Sequence, residues 1–170
     1  MSSDAAADET VTDEILRHSQ DYARNFHDPK PIRPAKQMAV VACMDSRLDI
    51  FKILGLHEGD AHVIRNAGGV VTDDAMRSLV ISQRLLGTVE IVLIHHTDCG
   101  MLTFTDEAMN AELERETGVR PAYAFHAFAD LDDSVRAGIA RIENDPHLPS
   151  RDKVRGFVFD VATGQLREVR

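Results

Sequence analysis

The sequence predicts an α/β fold in which helices flank a mostly parallel central β-sheet, with about four parallel strands plus a C-terminal antiparallel edge strand. Short apolar runs alternate with segments of helical periodicity from residue 37 onward. Turn residues, above all glycine, separate the two kinds of segment. The run at residues 89–94, VEIVLI, is almost entirely apolar, which is typical of a strand buried on both faces of a sheet.

The N-terminal region lies outside this alternation. Residues 1–10 contain little that could be buried, so we expect them to be disordered. Residues 11–36 form a helix and an arm, because Ile15, Tyr22 and Phe26 recur at helical spacing and prolines exclude a helix from the stretch that follows. The sequence leaves two packing partners open for this helix, which lies either on another subunit or on its own domain.

The elements from residue 37 onward follow from the same pattern. The predicted strands lie at residues 37–42, 61–65, 89–94, 155–161 and 165–169. The predicted helices lie at residues 48–54, 72–86, 105–117 and 130–144. Thr72 and the aspartates after it favour the start of the second helix, and glycines end the first three. Because 170 residues suit one hydrophobic core, we expect residues 1–170 to form a single domain.

The composition narrows the classes of function. The formal net charge of −9 argues against binding to nucleic acids or anionic membranes, although a local arginine or metal ion can still attract a small anionic substrate. No apolar run is long enough to cross a bilayer, and the N-terminus lacks the pattern of a signal peptide. We therefore expect a cytoplasmic protein, in which the two cysteines serve a metal or catalysis rather than a disulfide.

Reactive side chains follow two of the predicted strands. Cys43, Asp45 and Arg47 come directly after the first strand, and His96 and Cys99 come directly after the third. In parallel sheets ligands bind beyond the carboxyl ends of the strands, so these groups converge if the two strands are neighbours. Two thiolates and one imidazole suit Zn²⁺ and leave a fourth coordination position open for chemistry. The sequence therefore predicts a catalytic zinc site with Cys43, His96 and Cys99 as the ligands.

These motifs resemble those of the β-class carbonic anhydrases, in particular the compact bacterial type. The pattern Cys-x-Asp-x-Arg stands at residues 43–47, His-x-x-Cys stands at 96–99, and Arg-Asn-Ala-Gly-Gly lies between them at 65–69. The resemblance implies a zinc-dependent carbonate dehydratase, which hydrates CO₂ reversibly to bicarbonate and a proton through zinc-bound hydroxide. It also implies a homodimer or a higher even oligomer, with the N-terminal helix reaching the partner and the site near the subunit interface.

Asp45 and Arg47 are the predicted catalytic residues. Asp45 can accept a hydrogen bond from the zinc-bound hydroxide, and Arg47 can keep Asp45 oriented and ionised through a two-pronged ion pair. In part of the family that this chain resembles, the aspartate becomes the fourth zinc ligand and closes the site. We therefore expect low activity near neutral pH and more at alkaline pH. Gly68 and Gly69 either let the backbone approach the substrate pocket closely or form a plain turn.

Two side chains beside the ligands have less specific predictions. His96, and not His95, has the three-residue spacing to Cys99 that lets a tight turn aim both at one ion. His95 is then a group behind the ligands, a strand-end residue or a proton carrier. Asp98 is expected to be a hydrogen-bonded turn residue.

Three other functions stay open. A hydrolase of COS or CS₂ could use the same site, because these linear molecules resemble CO₂ electronically. A catalytically weak zinc-binding protein results if Asp45 closes the metal site permanently. The third alternative is a redox pair of Cys43 and Cys99, although this pair lacks the Cys-x-x-Cys spacing of dithiol enzymes.

Overall fold

The structure is a computed structural model that describes residues 10–170, and the chain divides into two compact units, Met1–Lys30 and Pro31–Arg170. In the first unit, α1 (Val11–Arg24) begins at Thr10, whose hydroxyl accepts a hydrogen bond from the Asp13 backbone N–H at 3.2 Å. The carboxylate of Asp13 accepts the Thr10 backbone N–H at 2.9 Å, which completes a capping box. Of the stretch predicted to be disordered, residues 1–9 lie outside the described part. The single-domain prediction stays a prediction.

The second unit contains one five-stranded sheet, as predicted. Its strands are β1 (Met38–Cys43), β2 (Ala61–Asn66), β3 (Glu90–His96), β4 (Val154–Phe159) and β5 (Leu166–Val169). Their order in the sheet is β2-β1-β3-β4-β5, in which the first four strands are parallel and β5 is antiparallel to β4. The predicted α/β fold class, with four parallel strands and a C-terminal antiparallel edge strand, is confirmed.

Four further helices connect the strands, close to the predicted bounds. They are α2 (Ile50–Leu54), α3 (Asp73–Arg84), α4 (Asp106–Thr117) and α5 (Leu131–Glu143). The residue before each helix caps it, because its side-chain oxygen accepts the backbone N–H of the residue three positions later. These capping residues are Asp49, Thr72, Thr105 and Asp130. None of the helices in the described range combines the length and the apolarity that crossing a bilayer requires.

Hydrophobic clusters cover both faces of the sheet. On one face, Val41 and Leu93 belong to a buried cluster that includes Ile142 of α5. On the other face, Val40 and Ile94 belong to a cluster that also includes both cysteines. Because side chains alternate along a strand, the continuous apolar runs in β1 and β3 serve both clusters at once.

The strand order places a switch point at the carboxyl end of β1. The chain passes from β1 to β2 on one side, and then crosses over to β3 on the other side. The loops after β1 and β3 therefore diverge from a shared crevice, which is where ligands bind in open α/β sheets. Every residue from Ala39 to Cys43 is buried, so this crevice opens directly from the core.

Candidate metal centre

The structure brings together the three predicted metal ligands. The ligand atoms of Cys43, His96 and Cys99 all lie within 4.8 Å of one another, and all three residues are buried. Cys43 is the last residue of β1 and His96 is the last residue of β3, so both belong to the strands rather than to the loops after them. Cys99 stands just before a short 3₁₀ turn, Gly100–Leu102. Neighbouring parallel strands thus supply the first two groups, and a tight turn supplies the third.

The ring of His96 is oriented by its own backbone. Its Nδ1 lies 2.8 Å from the carbonyl oxygen of Thr97, which can only accept, so Nδ1 donates. Nε2 is buried and has no hydrogen-bond partner. A buried nitrogen without a partner is costly, and a metal-binding histidine characteristically anchors its other ring nitrogen in this way. The tautomer, the burial and the free lone pair therefore fit His96 as a metal ligand through Nε2.

The two thiols differ in acidity. Burial opposes ionisation of Cys43, but the neighbouring imidazole of His96 and nearby backbone N–H groups outweigh it and lower its pKa to about 7. Burial raises the pKa of Cys99 to about 11, and the nearby Cys43 adds to that effect. Two negative sulfurs this close repel each other, and a divalent cation between them removes the repulsion. The donor set therefore fits zinc, which binds two thiolates and an imidazole and retains an open position.

Asp45 and Arg47 form the predicted two-pronged ion pair beside the cluster. Arg47 donates from Nε to Asp45 Oδ1 at 3.0 Å and from Nη2 to Oδ2 at 2.8 Å, and its backbone N–H reaches Oδ1 at 2.9 Å. These hydrogen bonds hold the pKa of Asp45 well below its usual range, so the carboxylate is ionised. Asp45 Oδ2 also lies 3.7 Å from His96 Nε2, which puts it at the edge of the metal site.

Two further charged residues, Asp98 and Arg65, bind the loop after β1. The sequence did not indicate their partners. Asp98 accepts from Arg47 Nη1 at its carboxylate (2.8 Å) and from Nη2 at its carbonyl oxygen (3.0 Å). Arg65 donates from Nε to the Cys43 carbonyl at 2.9 Å and from Nη2 to the Asp45 carbonyl at 2.6 Å. Asp98 is a hydrogen-bonded turn residue, as expected, but the identity of its partner depends on how two distant loops meet.

The predicted glycine pair brings backbone close to the metal cluster. Gly69 has φ +70°, and a Cβ there would lie 2.7 Å from the Cys43 nitrogen and 2.8 Å from the Ala42 carbonyl carbon. Gly68 has φ +82°, and its Cβ would meet Met101 at 3.0 Å. Both positions therefore favour glycine, and Gly69 excludes any side chain because it packs directly on strand backbone.

A cavity of about 370 Å³ opens above the three candidate ligands, Cys43, His96 and Cys99. Asp45, Gly68 and His96 contribute to its lining, together with the apolar side chains of Met101 and Phe104. The cavity is thus polar at the candidate ligands and Asp45, and apolar along its walls. Such a pocket suits a small uncharged molecule that must meet a nucleophile at one end.

His95 lies on the opposite face of the sheet from His96. Its Nε2 is 3.0 Å from the Ser134 hydroxyl on α5, and its ring packs against Phe128 at a centroid distance of 5.3 Å. Burial lowers its pKa to about 4. Of the three roles that the sequence left open, this geometry supports a strand-end packing residue.

The chain is similar to carbonic anhydrases in both sequence and structure. A sequence model of a family described as carbonic anhydrase matches residues 38–124. The chain is 56% identical over 160 residues to "Beta-carbonic anhydrase 1" of Mycobacterium tuberculosis, which covers 94% of this chain and 98% of that protein. It is 34% identical over 181 residues to a "Carbon disulfide hydrolase" of Acidianus sp., with 92% and 87% covered. The crystal structure of a carbonic anhydrase from Streptococcus mutans superposes with a TM-score of 0.89 at 43% identity, with 96% of this chain and all of that chain covered.

Proposed function

Because this chain belongs to the β-carbonic anhydrase family, as its motifs predicted, we propose that it catalyses the reversible hydration of CO₂ to bicarbonate and a proton. Cys43, His96 and Cys99 would hold the zinc ion that this reaction needs. The observation that carries the proposal is the convergence of these three buried ligand atoms within 4.8 Å of one another. When bound, zinc supplies the Lewis acidity that makes water a nucleophile near neutral pH.

The residues around the metal cluster have separate tasks in this proposal. Asp45 is kept ionised by Arg47, so its Oδ2 can accept a hydrogen bond from the attacking water and orient that water. Arg65 holds the carbonyl oxygens of Cys43 and Asp45 and so fixes the loop that carries both. The apolar wall of Met101 and Phe104 receives CO₂ and keeps bulk water from the reacting carbon.

The orientation of Asp45 supports an open metal site. Its carboxylate makes three hydrogen bonds to Arg47, and Asp45 is not in the group of Cys43, His96 and Cys99, whose ligand atoms lie within 4.8 Å of one another. In the closed, catalytically weak alternative, the carboxylate would have to exchange some of these hydrogen bonds for the metal. Higher activity at alkaline than at neutral pH stays a prediction.

Hydrolysis of CS₂ is the second candidate, and the 34% identity to a relative named carbon disulfide hydrolase supports it. CS₂ is linear and apolar, and Met101 and Phe104 would accept it as readily as CO₂. The same metal and the same Asp45 would serve both reactions. A comparison of kcat/KM for the two substrates on one zinc-loaded preparation decides between them.

The assembly and the location of the protein are also proposals. We infer a homodimer or a higher even oligomer, because α1 has no buried residue and exposes large apolar side chains such as Ile15 and Tyr22. Light scattering behind a sizing column tests this, and a monomer would contradict it. A cytoplasmic location stays a prediction that cell fractionation can test.

The decisive experiment joins a stopped-flow CO₂ assay to a zinc determination on the same sample. We expect one zinc per chain and hydration that a chelator abolishes and added zinc restores, whereas added magnesium does not restore it, because thiolate ligands select zinc over magnesium. A zinc-loaded protein that hydrates no CO₂ between pH 7 and pH 9 would overturn the proposed function.

A further inference from the structure

Arg47 is held on two edges of its guanidinium by two different loops. Asp45, two residues away in the loop after β1, accepts from Nε and Nη2. Asp98, 51 residues further along the chain in the loop after β3, accepts from Nη1 with its carboxylate and from Nη2 with its carbonyl. Nη2 carries two hydrogens, so the two aspartates bind Arg47 simultaneously and do not compete for it.

The backbone of Asp98 is shaped for this contact. Its φ is +55°, in the left-handed region that costs an ordinary side chain free energy and that aspartate and glycine tolerate better. In this conformation the residue presents both its carbonyl and its carboxylate to Arg47. Of the residues other than glycine in the three motifs, Asp98 is the one with a left-handed backbone.

The contact with Asp98 changes what the ion pair between Asp45 and Arg47 can do. Two residues in one loop can move together, so Arg47 alone would not stop Asp45 from turning toward His96, which is only 3.7 Å from its Oδ2. A second anchor on the loop after β3 makes that movement break hydrogen bonds on both edges of the guanidinium. The carboxylate of Asp98 is itself 79% exposed, so its effect is limited by water and salt.

We propose that Asp98 is a positioning residue of this site: it fixes Arg47 from the loop after β3, and so keeps the Asp45 carboxylate off the metal and available as an acceptor in the pocket. The expected effect on CO₂ hydration rests on the proposed function. The expected distance between Asp45 and a bound metal does not depend on that function.

The first part of the test compares three variants of the full chain. Asp98→Gly removes the carboxylate but keeps the left-handed backbone, and Asp98→Asn keeps an acceptor while removing the charge. Glu168→Gln is the matched control, because Glu168 forms a two-pronged ion pair with Arg155 at the sheet edge. We expect Asp98→Gly to lower kcat/KM for CO₂ at neutral pH about three- to tenfold, Asp98→Asn to lose less, and Glu168→Gln to match the wild type.

Two readouts separate positioning from a merely structural role. In protein loaded with Co²⁺ in place of zinc, the visible spectrum of Asp98→Gly should shift toward that of Arg47→Gln, because Asp45 then spends more time on the metal. In the Arg47→Gln background, Asp98→Gly should cause no further loss, because Asp98 acts through Arg47.

Two results would overturn the inference. The first is an Asp98→Gly protein with wild-type kinetics and an unchanged Co²⁺ spectrum. The second is a loss of kcat/KM on Asp98→Gly substitution that is equally large in the wild-type and the Arg47→Gln backgrounds. If the wild type itself hydrates no CO₂, the proposed function fails, while the Co²⁺ spectra and the Asp45–metal distance in zinc-loaded crystals still decide the role of Asp98.

Discussion

His95 and His96 are adjacent, equally buried and chemically identical, yet they have opposite properties. His96 faces the thiols, and its contacts with Cys43 and Thr97 outweigh burial and raise its pKa. His95 faces α5, and burial lowers its pKa to about 4. The direction of a side chain on a strand, and the partner it meets there, therefore decide its chemistry more than its residue type does.

Replacing each histidine gives the largest test of this comparison. We expect His96→Ala to lose stoichiometric zinc and to lower kcat/KM for CO₂ by at least about a thousandfold, beyond the 10–100-fold typical of groups that only support a ligand. His95→Leu should keep its zinc and stay within a few-fold of wild-type activity. Zinc content and stopped-flow rates measured on the same samples check both. Retention of zinc by His96→Ala would show that His96 is not a ligand.

His96 meets the thiol of Cys43 only while β1 and β3 stay fixed relative to each other, and Gly69 lies against both strands. A Cβ at Gly69 would lie under 3 Å from the backbone of Cys43, Ala42 and Ile94. We expect Gly69→Ala to lower the free energy of unfolding by about 3 kcal/mol or more and to weaken zinc binding.

Gly118→Ala is the control for the backbone conformation at Gly69. Gly118 has a similar φ of +74° but open space around its Cβ position, so its substitution should cost only about 1 kcal/mol. Urea unfolding of both variants provides the measurement. Equal losses at the two glycines would show that only the left-handed φ matters, and not the contact with β1.

The smallest expected effect is on the pH dependence of the free energy of unfolding, to which the two histidines contribute with opposite sign. The pKa of His95 is depressed, so the unfolded chain takes up the proton first, and stability is lost as pH falls below the unfolded value near 6.5. His96 has a raised pKa, so its contribution is present below that value and is lost as pH rises through its folded pKa.

In metal-free protein we expect His95 to remove about 2 kcal/mol of stability between pH 7 and pH 5, and His95→Leu to abolish that part of the slope. Urea unfolding at several pH values measures the slope in both proteins. An acid slope in His95→Leu that equals the wild-type slope would rule out His95 as its source.

The regular elements were predictable because their signals are local. The apolar run in β3 and the threonine and aspartates that begin α3 indicate strand and helix without knowledge of their neighbours. The convergence of Cys43, His96 and Cys99 was predictable for a related reason, since all three stand at or just after the ends of strands that the sequence identifies. The bounds were less certain, and Cys43 proved to be the last residue of β1.

Other features of the site depended on contacts that no local pattern encodes. The sequence left three roles open for His95, because the face of β3 that meets α5 is decided only when the helix packs. It identified Asp98 only as a turn residue, since its partner Arg47 is 51 residues away in the chain. Arg65 likewise belonged to the Arg-Asn-Ala-Gly-Gly motif without a role, until its hydrogen bonds to the carbonyl oxygens of Cys43 and Asp45 showed one.

The alternation of strands and helices, the family, and a set of donors that suits zinc could be predicted from the amino-acid sequence, because each of these depends on residue type and spacing along the chain. The position of β1 between β2 and β3 depends on the packed fold, and with it the meeting of the Cys43 thiol with His96 and Cys99. It also decided that Arg47 is shared by two loops. The physical reason is that strand order and side-chain direction follow from packing both faces of the sheet at once, and no single segment contains that information.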